Sequence, residues 1–263
     1  MMRMVYRTAL YTSLSICKSI SMILCACYMK PTLSVIVPVY NEEHTVREML
    51  DKLLSISLVR EVIVVNDGST DGTEKNIHKI AHKKLHYFSK ENGGKGSAIR
   101  FGLDKVTSTH TLIQDADLEY DPHDIPTLFE PIQNGRIEIV YGSRFIGPHL
   151  NLLFWHRLGN QLLNFVVNIL YNTTLSDMET CYKLLPTDVF RSLKITSNNF
   201  DIEPEITCKL LLKGYKIYEV PISYIGRDFS EGKKITWRDG IGALRTILRL
   251  RFSSLFEKTQ IEI

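Results

Sequence analysis

Three acidic residues with alternating spacing are the strongest chemical signal in the chain. Asp115, Asp117 and Glu119 follow the apolar residues 111–113. That apolar run predicts the end of a buried strand. Unpaired, such carboxylates repel one another and raise each other's pKa. A divalent cation relieves the repulsion, because Mg2+ and Mn2+ prefer oxygen ligands and leave coordination positions for substrate phosphates. The spacing therefore predicts a site for Mg2+ or Mn2+, with a solvated acidic turn as the alternative.

Strand and helix signals alternate from residue 32 onward, which predicts an α/β fold with a mostly parallel central sheet flanked by helices. The predicted strands cover residues 33–39, 61–65, 85–88, 111–113 and 137–141, and the predicted helices cover 43–54, 71–81, 93–103, 125–132, 150–171, 201–212 and 237–256. Ligands bind at the carboxyl ends of the strands in such sheets. The polar residues expected at those ends are Tyr40, Asn41, Glu42, Asp67, Asp115, Asp117, Ser143 and Arg144.

Two further features suit a phosphate-bearing nucleotide. Asp67 follows a predicted strand and could accept a hydrogen bond from a base or a ribose hydroxyl, although a simple Asp-Gly turn explains it equally well. The Gly-rich residues 93–96 allow a ligand to approach the backbone closely and set the Lys95 cation near a helix N-terminus, which favours anions. Neither a G-x-x-x-x-G-K-[ST] motif nor a G-x-G-x-x-G after the first strand is present, which argues against P-loop and nicotinamide binding.

Five short motifs occur in an order that resembles family 2 glycosyltransferases, and most closely the polyprenyl- and dolichol-phosphate mannose synthases and their bacterial relatives. The motifs are Val-Pro-Val-Tyr-Asn-Glu at 37–42, Val-Asn-Asp-Gly-Ser-Thr-Asp-Gly at 65–72, Asn-Gly-Gly-Lys-Gly at 92–96, Gln-Asp-Ala-Asp at 114–117 and Tyr-Gly-Ser-Arg-Phe at 141–145. The resemblance covers residues 32–240. It implies a GT-A (Rossmann-like) fold, a nucleotide-sugar donor, a divalent metal and an inverting mechanism.

The resemblance also assigns a donor site. The residues that are expected to bind the donor are Pro38, Tyr40, Glu42, Asp67, Lys95, Asp115, Arg227 and Lys233. Asp115 and Asp117 would hold the metal and the diphosphate, with Glu119, where several family members have Gln, as the third candidate ligand. Arg227 and Lys233 belong to a basic segment that resembles a family loop folding over the donor diphosphate.

An acceptor site is predicted around two arginines. Arg144 and Arg157 are candidates for holding an acceptor phosphate, because a guanidinium group can grip phosphate through paired hydrogen bonds. For Arg157 the alternative is a surface ion pair. A phosphate oxygen is already anionic, so no strong base is needed to activate it. Catalytic roles are predicted for Asp117, Arg144 and Arg157. Asp177 opens a segment that resembles the family's acceptor motif D-x-x-[ST]-G-[FY]-[KR], with Cys181 in place of glycine.

Two helical segments suggest contact with a membrane. Residues 150–171 are apolar on much of their circumference yet carry polar groups, which predicts a helix half in the core and half against lipid, or an ordinary buried helix. Residues 237–256 are amphipathic and basic, which favours binding to an anionic membrane surface or packing on the domain with a solvated basic face. Their predicted apolar side consists of Ile241, Leu244, Ile247, Leu248 and Leu255. Asp201 and Glu203 are expected to be capping charges at the start of helix 201–212.

Composition indicates an ordinary globular protein: 263 residues, 44% hydrophobic and 23% charged. The net charge of +3 gives no argument for nucleic acid, and the five cysteines have no zinc spacing, which indicates reduced thiols in a cytosolic protein. The predicted organisation is an N-terminal extension over 1–29, a GT-A domain over 30–235 and a basic helix and tail over 236–263. The extension is interpreted as a mis-assigned start, an anchor, a signal or a disordered segment.

The resemblance, together with these features, implies a metal-dependent hexosyltransferase that moves mannose or glucose from GDP-mannose or UDP-glucose to a polyprenyl or dolichyl phosphate. The expected location is the cytoplasm, peripheral at the cytosolic face of a membrane. The alternatives are transfer to a soluble or lipid-linked glycan and, outside enzymes, a non-catalytic nucleotide-binding module. A processive polysaccharide synthase is disfavoured because the Q-x-x-R-W motif is absent.

Overall fold

The computed structural model describes residues 30–135, 137–150, 153–227 and 237–261. Its strands are β1 (Leu33–Val39), β2 (Val59–Asp67), β3 (Leu85–Lys90), β4 (His110–Ile113), β5 (Val140–Ser143), β6 (His149–Leu150), β7 (Lys183–Pro186), β8 (Tyr218–Pro221) and β9 (Tyr224–Ile225). Seven of them form a sheet in the order β3-β2-β1-β4-β7-β5-β8, and β6 pairs with β9 separately. Only β7 runs antiparallel to its neighbours. The predicted α/β fold with a mostly parallel sheet is confirmed.

Helices connect most of the strands. They are α1 (Val46–Ser55), α2 (Thr73–Ile77), α3 (Lys95–Leu103), α4 (Ile125–Gln133), α5 (Phe154–Tyr171), α6 (Thr187–Ser192), α7 (Ile202–Leu212) and α8 (Trp237–Ile261). All seven residues of β1 and all but one of β2 are buried. Such continuous apolar strands form because a parallel sheet is covered on both faces.

The middle of the sheet is arranged around β1, which has β2 on one side and β4 on the other. Pro38 lies within β1 although proline cannot donate a ladder hydrogen bond. The pairing of β1 with β4 ends at Ile36 and Ile113, and the Ile36 carbonyl accepts a hydrogen bond from Gln114 N at 2.9 Å. Because alternate residues face the same neighbour, the Pro38 nitrogen points to the β4 side beyond the paired region. The strand order reverses at this point, which is where open α/β sheets bind ligands.

Two predicted helices are shorter in the structure. The first begins at Val46 rather than at residue 43, because Glu43 lies in a turn and its carboxylate accepts a hydrogen bond from Gly72 N at 2.8 Å. The second is confined to Thr73–Ile77 rather than extending to residue 81. The residues after Ile77 are mostly exposed, so a longer helix would bury little additional apolar surface.

Strand pairing explains why two other element boundaries differ from the predicted ones. The strand predicted over 137–141 is Val140–Ser143, because its residues pair with β7 and β8. The helix predicted from residue 150 begins at Phe154, since Leu150 instead pairs with Ile225 of β9. The three strands that fixed these limits, β7, β8 and β9, come later in the chain than the residues they pair with.

A second, smaller cluster of buried side chains joins α5, α7 and α8. Its members are Leu163, Val167, Met178, Cys208, Ala243 and Ile247. The opposite face of α5 is exposed, so the alternative of an ordinary buried helix is wrong. Its exposed apolar side chains are Phe154, Trp155, Leu158, Leu162, Phe165 and Ile169. We call these six the α5 outer face.

The single apolar side predicted for the last helix is divided in α8. Ile247 is buried against α5 and α7, whereas Ile241 and Leu248 are exposed. In the part of the chain that the structure describes, every helix is too short or too polar to cross a bilayer. The predictions for residues 1–29, Lys233 and the Leu255 side chain fall outside the described residues and side chains, and the boundaries at residues 29 and 235 stay predictions.

Candidate active site

Asp67 ends β2 with its carboxylate enclosed by the protein. Its Oδ1 lies 2.6 Å from Lys90 Nζ. Gly93 N donates to both carboxylate oxygens at 3.0 and 3.2 Å, and Gly94 N donates to Oδ2 at 2.7 Å. The anion at the start of α3 is therefore one of the protein's own side chains, which fixes the carboxyl ends of β2 and β3 against α3.

The glycines at the start of α3 meet another part of the chain. Gly94 has a φ of +90°, and a Cβ added at Gly94 or Gly96 would collide with the backbone of Ser197 or Asn198. Gly96 N donates a hydrogen bond to the Asn198 carbonyl at 2.7 Å. The close backbone approach that the sequence predicted for a ligand is taken by residues 197–198.

Lys95 links the acidic pair to α7. Its Nζ lies 2.8 Å from Asp115 Oδ1 and 2.8 Å from Glu203 Oε1. Burial lowers the pKa of Lys95, but the charges of Asp115 and Glu203 more than offset this and raise it well above its usual range. Glu203 was expected to be a capping charge, and this is corrected: its carboxylate binds Lys95. Asp201 makes no capping hydrogen bond and accepts one from Ser197 Oγ at 2.8 Å.

Asp117 has a different cation as its partner. Its Oδ2 lies 3.2 Å from an Arg227 nitrogen, and the same guanidinium lies 3.2 Å from Glu42 Oε2. Burial, together with the charges of Asp115 and Glu119, raises the pKa of Asp117 to about 7. The carboxylate form is thus held at a free-energy cost that a bound cation would offset.

Glu119 faces away from the acidic pair. Its Oε2 accepts a hydrogen bond from the Tyr224 hydroxyl at 2.7 Å, and its Oε1 accepts one from Arg227 N at 2.8 Å. The intervening Leu118 has a φ of +63°, a left-handed turn that is rare for a residue with a side chain. These contacts tie β9 to the loop after β4 and argue against Glu119 as a metal ligand.

The donor set that remains for a metal is Asp115 and Asp117. Among the described residues, no group of three or more His, Cys, Asp or Glu side chains is arranged to hold a metal ion. Two hard carboxylates nevertheless fit Mg2+ or Mn2+, which commonly take one or two protein carboxylates and complete their shell with water and substrate phosphates. The raised pKa of Asp117 fits the same purpose, because a dication favours the ionised form.

Arg144 is already bound by Asp177, so the two predicted acceptor residues form a pair. Arg144 Nε and Nη2 each donate to an Asp177 carboxylate oxygen at 2.8 Å, and Arg144 N donates to Oδ2 at 2.9 Å. Asp177 is fully buried and Arg144 is 8% exposed. Burial lowers the pKa of Arg144, but the charge of Asp177 raises it well above its usual range. This arginine therefore joins the end of β5 to residues 177–183.

Arg157 lies on the first turns of α5, half-buried. Its guanidinium carbon is 5.9 Å from the centroid of the Phe145 ring, and that of Arg144 is 5.6 Å from the same ring. The structure thus brings the two predicted acceptor arginines to one aromatic side chain. Within the described residues Arg157 forms no ion pair, so the surface ion-pair alternative finds no support there.

Residues 177–183 are held in place by a buried lysine. Lys183 Nζ donates to the carbonyls of Met178 at 2.7 Å and Thr180 at 2.5 Å. Burial lowers the pKa of Lys183 to about 8 in spite of the nearby acidic groups. Glu179, in the same segment, has its pKa raised to about 8 by burial and by the charge of Glu203.

The remaining predicted donor residues lie near β1. Pro38 is buried inside the strand, and Tyr40 follows it with 40% of its surface exposed. Glu42 is nearly buried and accepts a hydrogen bond from Thr45 Oγ1 at 2.9 Å besides its contact with Arg227. Lys233 lies outside the described residues.

Sequence reasoning missed two acidic residues of the site. Glu203 binds Lys95, and Glu219 accepts hydrogen bonds from Ser176 N and Asp177 N at about 3.0 Å, which orients the partner of Arg144. An acid in the first turn of a helix has the same sequence signal as an ordinary capping charge. Glu219 has no local signal, because its partners lie in a distant loop.

Comparison with known proteins identifies the family of the chain. The family model described as "Glycosyl transferase family 2" matches residues 34–194. The curated relatives include glycosyltransferase AglJ and the low-salt glycan biosynthesis hexosyltransferase Agl6, both of Haloferax volcanii and both 26% identical, over 78% and 83% of this chain. Dolichol-phosphate mannosyltransferase of Pyrococcus furiosus is 30% identical over 76% of this chain. The matches span 67%, 53% and 58% of the lengths of these three relatives.

Solved structures support the fold. Glucosyl-3-phosphoglycerate synthase from Mycobacterium tuberculosis, in complex with Mn2+, UDP-glucose and phosphoglyceric acid, superposes with a TM-score of 0.69 at 20% identity, covering 84% of this chain and 80% of that one. The same protein with Mg2+ and UDP superposes with a TM-score of 0.66 at 20% identity, covering 84% of this chain and 79% of that one. The predicted GT-A architecture is thus confirmed.

Proposed function

Because the chain belongs to glycosyl transferase family 2, we propose that it transfers a hexose, mannose or glucose, from a nucleotide-sugar to a polyprenyl or dolichyl phosphate with inversion at the anomeric carbon. The observation that carries the proposal is the pairing of Asp115 with Lys95 and of Asp117 with Arg227, together with the Asp67–Lys90 pair, at the carboxyl edge of the sheet. A pair of carboxylates that only transferred protons would not need two cations beside it. A diphosphate leaving group does, because its negative charge grows as the glycosidic bond breaks.

The donor would bind across the end of β1. Tyr40 and Glu42 line the part of this edge that suits the nucleoside, with the Asp67 carboxylate held at the end of β2 by Lys90, Gly93 and Gly94. Asp115 and Asp117 line the part that suits the diphosphate. Asp115 and Asp117 would hold Mg2+ or Mn2+, and the neighbouring complexes of glucosyl-3-phosphoglycerate synthase with UDP and either metal support this choice. When bound, the metal would neutralise charge on the leaving diphosphate.

Lys95 and Arg227 have a second task in this mechanism. Each now forms an ion pair with one carboxylate of the acidic pair. Both side chains would hydrogen-bond the diphosphate oxygens, because they lie beside the carboxylates that would hold the metal. The two residues would thereby hold the leaving group in line with the attacking oxygen.

The acceptor side is supported by charge next to an apolar surface. Arg157 lies on α5, the helix that carries the α5 outer face. This helix therefore offers both a cation for a phosphate group and an apolar surface for lipid. Arg144 and Arg157 would hold the acceptor phosphate, whose oxygen attacks without a general base. Arg245 and Arg249, both exposed on α8, add positive charge that favours an anionic membrane surface at its cytosolic face.

A second acceptor is favoured by one comparison. Agl6 is a glycan biosynthesis hexosyltransferase, and this chain matches it over 225 residues. Transfer to a soluble or lipid-linked glycan is therefore the second candidate. It would need a base to remove a proton from the attacking hydroxyl, whereas a phosphate acceptor would not.

A donor and acceptor panel tests the proposal. Purified protein with Mn2+ is given GDP-mannose or UDP-glucose and either dolichyl phosphate, undecaprenyl phosphate or a short glycan, and products are separated by mass spectrometry. Formation of a hexosyl phospholipid that EDTA abolishes is the expected result. Binding of nucleotide without either transfer or donor hydrolysis would instead indicate a non-catalytic module.

A further inference from the structure

Two carboxyl groups beside the donor site each have an oxygen atom without a partner. Glu203 is 4% exposed, and while its Oε1 binds Lys95, its Oε2 is buried and accepts no hydrogen bond among the described residues. Glu179 Oε1 is buried and unpaired in the same way. Buried polar atoms are nearly always hydrogen-bonded, so two such atoms in one region indicate that a ligand supplies the missing bonds.

Their position matches that of the sugar. Glu203 and Asp115 are both 2.8 Å from the single atom Lys95 Nζ, so Glu203 lies one ammonium group away from the proposed diphosphate site. The hexose of a nucleotide-sugar is attached directly to the second phosphate. Glu179 lies two residues after Asp177, which binds Arg144 of the proposed acceptor site. Glu203 is therefore adjacent to a group proposed to bind the leaving phosphate, Glu179 is close in sequence to the partner of a group proposed to bind the attacking phosphate, and the two glutamates are near enough for the charge of Glu203 to act on Glu179.

We propose that Glu179 and Glu203 form a subsite that binds hydroxyl groups of the transferred hexose and selects which hexose is transferred. The subsite rests on the proposed glycosyltransferase function. Carboxyl oxygens pair well with sugar hydroxyls because each hydroxyl offers one donor. A site built to bind a hydroxyl rejects a substrate that lacks it, since its buried polar atoms are then left unpaired.

The charges around the subsite favour a neutral ligand. Lys95 and Lys183 already lie beside the two glutamates, so a further cation is not required for balance. Burial and the charge of Glu203 raise the pKa of Glu179 to about 8, so near neutral pH Glu179 can donate a hydrogen bond while Glu203 accepts one. A hydroxyl group complements such a pair because it both donates and accepts.

Lys183 keeps this arrangement rigid. Its hydrogen bonds to the carbonyls of Met178 and Thr180 enclose Glu179, the residue between them. The Glu179 carboxyl group is thus carried by a backbone segment whose flanking carbonyl groups are both fixed. A rigid support is what discrimination between sugars that differ at one hydroxyl requires.

Donors that lack one hydroxyl test the subsite. Wild-type protein is assayed with its nucleotide-hexose and with the matching 2-, 3-, 4- and 6-deoxy donors, and the same series is run on Glu179→Gln and Glu203→Gln. Wild type should lose at least about 30-fold in kcat/KM with one or two of the deoxy donors. At least one variant should use the parent and those deoxy donors within about fivefold of each other, because the partner of the hydroxyl has been changed.

Glu205→Gln is the matched control. Glu205 lies in the same helix and is fully buried, but its oxygens accept hydrogen bonds from Thr196 N and Ser197 N and pair with Lys209. Its replacement should lower the melting temperature and leave the ratio between parent and deoxy donors unchanged. A fall in that ratio for Glu205→Gln as large as for Glu203→Gln would overturn the subsite, because it would reflect general damage to the helix.

The remaining outcomes separate this proposal from the one on which it rests. If wild type transfers a hexose but uses every deoxy donor within about threefold of the parent, the subsite is overturned and the transferase function stands. Unchanged discrimination in both glutamine variants has the same meaning. If Glu203→Gln does not fold, the wild-type series and Glu179→Gln decide. If wild type neither transfers nor hydrolyses any nucleotide-sugar, the transferase function itself is overturned, and the subsite with it.

Discussion

The carboxyl edge of the sheet and the α5 outer face depart from ordinary burial in opposite directions. At the edge the protein buries charge: Asp177 is 0% exposed and Glu203 is 4% exposed. On α5 it exposes large apolar side chains, with Phe154 68% and Trp155 75% exposed. Soluble proteins seldom do either without a reason, since buried charge must be paired and extended apolar patches usually mark a binding surface.

The difference between the two regions lies in where the partners are. At the edge the paired charges have internal partners, such as Asp177 for Arg144 and Lys95 for Asp115. The α5 outer face has no such covering among the described residues, because the helix packs on α7 and α8 through its other side. The carboxyl edge is therefore organised before a ligand binds. The α5 outer face is instead available to bind another molecule, for which we propose lipid. Four predictions test this contrast between the two regions.

Arg144→Ala should have the largest effect, on stability. It leaves the Asp177 carboxylate buried without its partner, which costs about 3–5 kcal/mol of unfolding free energy. Urea unfolding followed by circular dichroism measures the change. Arg47→Ala is the control, because its pair with Asp51 is exposed at 3.8 Å and should contribute less than about 1 kcal/mol. Equal losses in the two variants would remove the distinction between an organised edge and an ordinary surface.

Asp117→Asn should reduce catalysis at least about 100-fold while the protein remains folded, because it removes one charge from a site built for a dication. Turnover and Mn2+ affinity are measured together, the latter by calorimetry in the presence of nucleoside diphosphate. Asp51→Asn, an exposed carboxylate on α1, serves as control. Near-normal turnover with unchanged Mn2+ affinity would contradict the assignment of Asp117.

Arg157→Ala tests the region where the edge meets the helix. A desolvated contact with phosphate is worth about 2–5 kcal/mol, so acceptor kcat/KM should fall on the order of 30-fold. Stability should hold, since Arg157 makes no ion pair within the described residues. Arg157→Lys should rescue only partly because a point charge cannot form two parallel hydrogen bonds. A loss of nucleoside diphosphate affinity in step with activity would move Arg157 to the donor site.

The double substitution Leu162→Ser with Phe165→Ser should have the smallest effect and concern the helix face alone. Both side chains are 61% exposed, so melting temperature should be unchanged, while binding to anionic vesicles should weaken about tenfold. Sedimentation with phosphatidylserine vesicles measures it. Tyr218→Ser, at an exposed site on β8, is the control. Undiminished vesicle binding would mean that lipid does not cover this face.

Much of the fold was predictable because its signals are local. Continuous apolar runs gave β1 and β2, and the start of α3 followed from the Gly-rich residues 93–96. The pairing of acidic residues Asp115 and Asp117 just after a buried strand was likewise predictable, since strand ends in a parallel sheet meet at one edge. Boundaries that depend on a later strand, such as those of β5 and α5, were not.

The sequence by itself thus determined the family, the strands β1 to β5, every described helix except α6, and the polar groups that gather at the carboxyl edge, whereas β6 to β9 were not predicted. Only the tertiary structure decided which charge meets which: Lys95 with Glu203, Arg144 with Asp177, and Glu119 with Tyr224 rather than with the acidic pair. The physical reason is that these partners are far apart in the chain and come together through packing. A carboxylate has the same local sequence signal whether it caps a helix, binds a cation or binds a ligand. Its neighbours in the folded structure determine which of these it does.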